Sequence, residues 1–427
     1  MFSPERFLAN ALHTHSGGYK VAQILAHAFN AVEPGAAVKK YLRGNPIPHG
    51  RRTFALALGK AACAMMDAFA DEVSLADGLV ITKHASSLTF EPATVIEGNH
   101  PIPGSASLQA GSVAIKFLSQ LTRDDLLVCL ISGGGSALMT APLIPLEDLQ
   151  TLTAALLACG ARIDEINTLR RHLDKLKGGG LAGLANGAQV ISLLLSDVVG
   201  DSLEAIASGP TVPDATTLAD AISIIEKYDL RNNISDSIIH ALTETLKPND
   251  SIFEKVQNTV IASNSIALQA AQTQAELLGF QTKLIERDLQ GQAGALGMQL
   301  AAQLKDSLQF MQRPFCLLAG GEATVKIKGS GKGGRNQELA LAAVDSLAGL
   351  QEVMLLSIAT DGEDGPTDAA GAFITGETAQ NAESLGLYAA DYLLNNDAYS
   401  YFEKIDHLIK TGPSGTNVND LVICFAF

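Results

Sequence analysis

Short apolar runs recur along this chain, and most give way to a stretch of helical periodicity. TFALALG leads into KAACAMMDAFADEV, GLVITK and TVIEG precede SLQAGSVAIKFLSQL, and LLVCLIS ends at a glycine loop. Wholly apolar strands followed by helices call for parallel pairing with both sheet faces covered. After QVISLLLSD comes a more polar, largely helical stretch to about Asn249. The pattern then restarts with NTVIASNS, a helix over IALQAAQTQAELLG, QTKLIE, a helix over GALGMQLAAQLKDSLQ, FCLLAGG, TVKIK and EVMLLSIATDG. At 427 residues the chain exceeds what one hydrophobic core usually serves. The spacing predicts two α/β domains, residues 1–250 and 251–427, with mainly parallel sheets. The last run, LVICFAF, can belong to either sheet.

Composition excludes several function classes. The chain carries 30 Lys and Arg against 45 Asp and Glu, a net charge of -15, which argues against broad nucleic-acid binding. The apolar runs stop far short of the roughly 20 residues that span a bilayer, so no membrane partner is expected. The start, MFSPERFLANALHTH, lacks the basic and apolar regions of a secretory signal, which makes the cytoplasm the expected location. Cys63, Cys129, Cys159, Cys316 and Cys424 show no CxxC spacing and read as buried, inert thiols.

Ligands of open α/β sheets bind beyond the carboxyl ends of the strands. The most informative such place is TVKIKGSGKGGRNQELALAAVDSL, residues 324–347. Alternation over Thr324–Lys328 predicts a strand and the run from Asn336 a helix, with the glycines at the turn. Free N–H groups at a helix start, with Lys332 and Arg335 beside Gly333 and Gly334, make an anion site that suits phosphate. Gly59-Lys60 follows TFALAL directly before a helix, where a lysine is unfavourable to the helix dipole unless an anion joins it; a solvated surface lysine is the alternative. Ser132, Gly133, Gly134, Gly135 and Ser136 follow LLVCLI and can form a concave nest of N–H groups with two hydroxyls; a tight structural turn is the other reading.

Carboxylates and amides occupy further strand ends. Glu322 and Asp361 suit a divalent cation that also takes phosphate oxygens. Asp197, Asn264 and Asn417 are second-tier candidates, because Asp and Asn also favour caps and turns. The segment RIDEINTLRRHLDKLKGGGLAG predicts a helix bearing Arg162, Arg170, Arg171, Lys175 and Lys177 and ending at glycines. Cations near a helix C-terminus are ordinary stabilisers, and a charged face bordering the active site is the sharper alternative.

Gly329, Gly331 and Gly334 also match GxGxxG, the dinucleotide fingerprint, so hydride transfer competes with phosphoryl transfer. The partly exposed alternation of TVKIK and the added charge of Lys332 and Arg335 oppose the dinucleotide reading. No GxxxxGK[ST] occurs.

The ordered set LALGKAA, GNHPIPGSAS, LISGGGSALM, IDEINTLRRHLDKLKGGGLA, LLLSDVVGDSLEAIASGPTVPD, GGEATVKIKGSGKGGRNQELALA, ATDGEDGPTDAAGA and TGPSGTNVNDL resembles the glycerate 2-kinase family, whose C-terminal part is called the MOFRL domain. The resemblance spans nearly the whole chain; Glu363 and Ser414 are small departures from it. It implies two dissimilar three-layer α/β/α domains with the active site in the cleft between them. It also implies ATP-dependent phosphorylation of D-glycerate at its 2-hydroxyl with a divalent cation such as Mg²⁺, giving 2-phospho-D-glycerate. By motif, Lys60 and Arg335 match the positions the family assigns to catalysis. Asp197 is then the expected proton acceptor, Asp361 and Glu322 the metal ligands, and the SGGGS loop, Asn264, Lys332, Gly333, Gly334 and Asn417 the substrate contacts. Some members carry the label hydroxypyruvate reductase, so an NAD(P)H-dependent reductase is the alternative. The sequence leaves homo-oligomer formation open.

Overall fold

A computed structural model describes residues 1–8, 10–48, 51–86, 88–89 and 93–427. It divides into two compact units, Pro34–Ile261 and Met1–Glu33 with Ala262–Phe427. Among the described residues no helix is long and apolar enough to cross a membrane.

The first unit is built on a six-stranded sheet of β1 (Thr53–Leu58), β2 (Asp77–Thr82), β3 (Ala93–Glu97), β4 (Leu126–Ile131), β5 (Gln189–Leu195) and β6 (Val256–Ala262). Their spatial order is β3-β2-β1-β4-β5-β6, and β3 through β5 pair in parallel. Every residue of β1 and β4 is buried, as uninterrupted apolar runs require when helices cover both faces. Leu56, Cys129 and Val190 share one core with Ala110, Ala114 and Phe117 of the helix Ser105–Leu118. The polar stretch before β6 is helical and holds a satellite cluster around Leu169, Ile225 and Ile238. The strand order reverses direction between β1 and β4, and the chain leaves both strands on the same side of the sheet.

The second unit is built on β7 (Gln281–Gln292), β8 (Phe315–Thr324), β9 (Val353–Ala359), β10 (Gly371–Thr375), β11 (Leu408–Ile409) and β12 (Asp420–Ala426), in the order β11-β10-β9-β12-β8-β7. This sheet is mixed. β7 and β8 are parallel, whereas β12 runs antiparallel to both β8 and β9, and β10 antiparallel to β9 and β11. The C-terminal run thus joins the second sheet, inserted centrally between strands that point the other way. Helices Ala293–Ser307 and Arg335–Leu347 close its core through Leu300, Leu304, Leu339 and Val344.

The expected division at residue 250 differs from the observed one at both ends. β6 completes the first sheet, moving the boundary to Ile261–Ala262. Residues 1–33 join the second unit because their apolar face is buried there. Helix Gly18–Ala31 packs on helix Asn264–Leu277, and Phe7 meets Phe29 edge-on at 4.9 Å. Arg6 Nε donates to Thr411 O at 2.8 Å, and Thr416 Oγ1 to Val32 O at 2.8 Å. Two local expectations also change. TVKIK is not a separate strand, since β8 ends at Thr324 and residues 325–334 are irregular. The basic segment is helical over Ile163–His172 and again over Gly180–Gly183, so Arg162 precedes the first helix as its N-cap and Lys175 and Lys177 lie between the two. Four cysteines are buried as expected, but Cys159 is exposed.

Candidate active site

In the first unit the groups singled out by strand ends meet where the sheet order reverses. Gly59, at the end of β1, has φ 121°, a conformation that favours glycine, and a Cβ there would lie 2.2 Å from Ser132 Oγ. That approach lets Lys60 N–H donate to Gly133 O at 3.0 Å and Ala61 N–H to Ser132 Oγ at 3.0 Å. The two strand-end loops are therefore one hydrogen-bonded structure. A Cβ on Gly133 would lie 1.9 Å from Asp197 Oδ2, and one on Gly134 would lie 3.2 Å from His100 Nε2 and 3.4 Å from Lys60 Cγ. The glycines thus admit Lys60, Asp197 and His100 to the same loop.

The remaining loop groups are committed differently. Ser132 is buried in the tie to residue 61, and Ser136 Oγ lies 2.8 Å from Ser208 Oγ. Gly135 faces Ala207, whose Cβ would be 2.7 Å from an added Cβ. Burial, followed by the charges of Lys60 and Lys83, lowers the His100 pKa, so this imidazole favours its neutral form. His100 was not among the expected site residues, although GNHP directly after β3 carries the same strand-end signal as Lys60.

In the second unit Arg335 opens the helix Arg335–Leu347. Its Nε and Nη2 bind Asp420 Oδ2 and Oδ1 at 2.6 and 3.0 Å, and its Nη1 binds Glu322 Oε1 at 2.5 Å. Burial acts to lower the Arg335 pKa, but the hydrogen bonds and charge of Asp420, with Glu322 and Asp364, outweigh it and hold the guanidinium charged. Burial pushes Asp420 up to about 7 against the pull of Arg335. Asn264 Nδ2 donates to Val418 O and Asp420 O, both at 2.8 Å, so it buttresses the strand bearing Asp420. Asn417 Oδ1 accepts the Asn419 N–H at 3.1 Å in a local turn.

A cavity of about 680 Å³ lies beside Arg335, with Glu322, Asp361, Gly333, Gly334 and the apolar Val325, Ile327 and Pro366 in its wall. Its size is that of a small-molecule site. The alternation of TVKIK therefore lines a cavity instead of pairing in a sheet; Ile327 is 79% exposed.

Five amides of the glycine loop beside it, those of residues 328–332, are taken by groups of residues 395–397. Asn396 Oδ1 takes the N–H groups of Lys328 and Gly329, Asn395 Oδ1 that of Ser330, Asn395 O that of Gly331, and Asp397 Oδ1 that of Lys332. At the helix start, Asp364 accepts from Asn336 N and Gln337 N at 3.0 and 2.8 Å. Gly334 is needed for this, since a Cβ would come within 2.3 Å of Asp364 Cγ. Lys332 Nζ sits 3.8 Å above the Tyr399 ring and is not in the cavity wall. The anion expected at this helix terminus is the protein's own carboxylate. The same occupancy takes up the amides of Gly329 and Gly331 in the GxGxxG match.

Among the described residues, no group of three or more His, Cys, Asp and Glu gathers as a metal site. Asp361 and Glu322 share the cavity wall; Asp361 Oδ1 accepts the Glu363 N–H at 3.1 Å, while Glu322 is engaged by Arg335. One or two carboxylates suit a magnesium ion that draws its other ligands from phosphate and water, and Asp361 fits that donor set better than Glu322.

A doubly wound sheet with a lysine and a glycine loop at its switch point, joined to an Arg-bearing cavity unit, defines an α/β enzyme class that handles small anionic ligands. The comparisons with known proteins narrow this class. DUF4147, a domain of unknown function, matches residues 20–243 and the MOFRL family residues 315–420. The chain is 39% identical to glycerate 2-kinase of Pyrococcus horikoshii over 94% of this chain and 95% of that protein. It is 38% identical to D-glycerate 2-kinase of Thermotoga maritima over 99% of each. The crystal structure of glycerate kinase from Thermotoga maritima superposes with a TM-score of 0.90, covering 96% of this chain and 99% of that one. A protein of Agrobacterium vitis provisionally named hydroxypyruvate reductase is 36% identical over 93% of each chain. The chain belongs to the glycerate kinase family.

Proposed function

We propose that this protein transfers the γ-phosphoryl group of ATP to the 2-hydroxyl of D-glycerate, giving 2-phospho-D-glycerate and ADP. The observation that carries the reading is the joined loop pair at the switch point, where Lys60, the SGGGS glycines and Asp197 come together in a chain of this family. In-line phosphoryl transfer needs positioning and charge neutralisation more than covalent chemistry. Lys60 and Arg335 supply the two cations, and Asp420 with Glu322 fixes the orientation of Arg335. Asp197, held against Gly133, takes the proton of the attacking hydroxyl. Asp361, with Glu322 as the weaker partner, would hold a divalent cation, which neutralises phosphate charge when bound with the nucleotide.

The occupied amides of residues 328–332 and the Asp364 cap weigh against the reductase reading, since they take up the amides of Gly329 and Gly331 in the match on which it rested. Incubation with D-glycerate, ATP and Mg²⁺ followed by phosphorus NMR tests the proposal. A 2-phosphoglycerate resonance is expected. 3-Phosphoglycerate would overturn the regiochemistry, and NAD(P)H oxidation by hydroxypyruvate without any phosphoester would overturn the kinase reading.

A further inference from the structure

A second cavity, of about 340 Å³, opens in the second unit at the end of the sheet away from Arg335. Val353, the first residue of β9, lies in its wall, whereas Asp361 of the Arg335 cavity follows the last residue of that strand, Ala359. Seven residues of strand, at about 3.3 Å each, hold the two apart. His15 and Ser16, just beyond the helix Asn10–Thr14, share the lining with Glu352, Glu377 and His407. The proposed reaction uses none of these residues, yet the volume is that of a small-molecule site.

Hydrogen bonds fix what each histidine offers a ligand. His407 is 7% exposed, and its Nδ1 donates to Phe373 O at 3.0 Å, so Nε2 keeps a lone pair that has no partner among the described residues. With Phe373 stacked on the ring at 4.4 Å and its carbonyl on Nδ1, the part of His407 left to line the cavity is the Nε2 edge. A buried nitrogen without a partner costs free energy, which a donor supplied from outside recovers. His15 Nδ1 accepts the Gly17 N–H at 3.0 Å, which leaves the proton on Nε2. Burial holds both rings neutral: it depresses His407 to about 4, and it lowers His15 although Glu352 and Glu377 pull the other way. Neither of those carboxylates forms an ion pair among the described residues. Arg313 directs its guanidinium to the backbone carbonyls of Gln351, Glu352 and Phe427. The wall therefore holds two negative charges and a buried lone pair, with no cation among its residues.

We infer that this cavity binds a small aliphatic primary amine in its protonated form, whose N–H groups are taken by the Glu352 and Glu377 carboxylates and by His407 Nε2. A primary ammonium carries three donors and no acceptor, the complement of that set, and its hydrogen bonds to carboxylates are charge-assisted. Anions are repelled by the same two carboxylates, which separates this site from the one beside Arg335. The inference does not depend on the kinase reading.

The full-length protein is titrated calorimetrically with 1,4-diaminobutane, with tetramethylammonium and with 1,4-butanediol, at an ionic strength held constant with sodium chloride. At about pH 8 the amine is charged and both histidines are neutral. The diamine is expected to bind with a Kd below about 1 mM, tetramethylammonium, which has the charge but no N–H, at least about 10-fold more weakly, and the diol not at all. E352Q, E377Q and H407F should each weaken diamine binding by about 10- to 100-fold, the scale of a lost charge-assisted contact. E254Q, which removes an exposed charge from the first unit, should leave it unchanged. No diamine binding at about 10 mM overturns the inference, as does equal affinity for the diamine and either comparison compound, or an E254Q loss as large as those of E352Q and E377Q. Should H407F fail to fold, the exposed Glu352 and Glu377 carry the test, and binding undiminished in both variants overturns the site. Turnover of D-glycerate is measured separately and bears on the kinase reading alone.

Discussion

Asp364 gives the most direct test of how the glycine loop works. The sequence alone makes the start of the helix Arg335–Leu347 a phosphate site, whereas the structure fills it with the Asp364 carboxylate, 1% exposed. In Asp364→Ala the Asn336 and Gln337 N–H groups lose acceptors at 3.0 and 2.8 Å. Loss of a helix cap costs about 0.5–2 kcal/mol, and each buried donor left unsatisfied costs about 1–3 kcal/mol. Relief of burying a carboxylate offsets part of this, because burial raises the Asp364 pKa despite its amide partners. A net loss of about 3 kcal/mol is expected, or about 6–12 °C in Tm for a domain of this size. Asp364→Asn keeps one acceptor and should lose about half as much by the same accounting. Urea unfolding followed by circular dichroism, with hydrogen exchange at the Asn336 and Gln337 amides, measures the cost. Parallel titration with ATP measures the site. If Asp364→Ala melts within about 2 °C of wild type and binds ATP more tightly, the helix start is the phosphate cradle and the reasoning fails.

Four further outcomes are expected. Lys60→Ala should lose about 10²–10³ in kcat with the protein folded, and so should Arg335→Ala, each measured by coupled ADP release; near-normal turnover would remove that residue from the mechanism. Arg335→Ala also strands buried Asp420, whose pKa of about 7 already lies above its unfolded value near 3.8, so its Tm should be highest at acidic pH and fall as pH rises through 7, whereas a flat profile would contradict the buried pairing. Gly59→Ala, with φ 121° and a Cβ 2.2 Å from Ser132 Oγ, should cost about 2–5 kcal/mol in urea unfolding, against about 1 kcal/mol for Gly279→Ala at φ 90° in open space; equal costs would refute the close approach of the two loops. Burial depresses His407 to about 4 from 6.5, so neutral His407 contributes stability above pH 6.5 that is lost as pH falls toward 4, and His407→Asn should flatten Tm across that window.

How much of this was legible depended on whether a signal was local. The runs TFALAL and LLVCLI declare buried parallel strands, and a parallel sheet places whatever follows them on one side, so Lys60, SGGGS and Asp197 could be gathered without coordinates. The order of the strands could not, nor could the docking of residues 1–33, because the Gly18–Ala31 helix finds its partner, Asn264–Leu277, more than two hundred residues away. Val325 and Ile327 alternate as a strand would, but the same pattern also serves an irregular cavity wall, and sequence periodicity does not distinguish the two.

The glycine loops show where such reading turns on long-range information. A glycine permits close approach, and the sequence does not say by what. At residues 329–334 the approaching groups are Asn395, Asp397 and Asp364, which take or border the amides and complete a self-contained structure. At residues 133 and 134 they are Asp197, His100 and Lys60, side chains able to do chemistry. Two loops of similar composition are thus a clamp and a candidate catalytic surface, and the difference lies in residues about 30 or more positions away in every case. Arg335 gains its place from the clamp. With the helix start capped by Asp364 and the loop fastened to residues 395–397, its guanidinium is left to Asp420, Glu322 and the cavity.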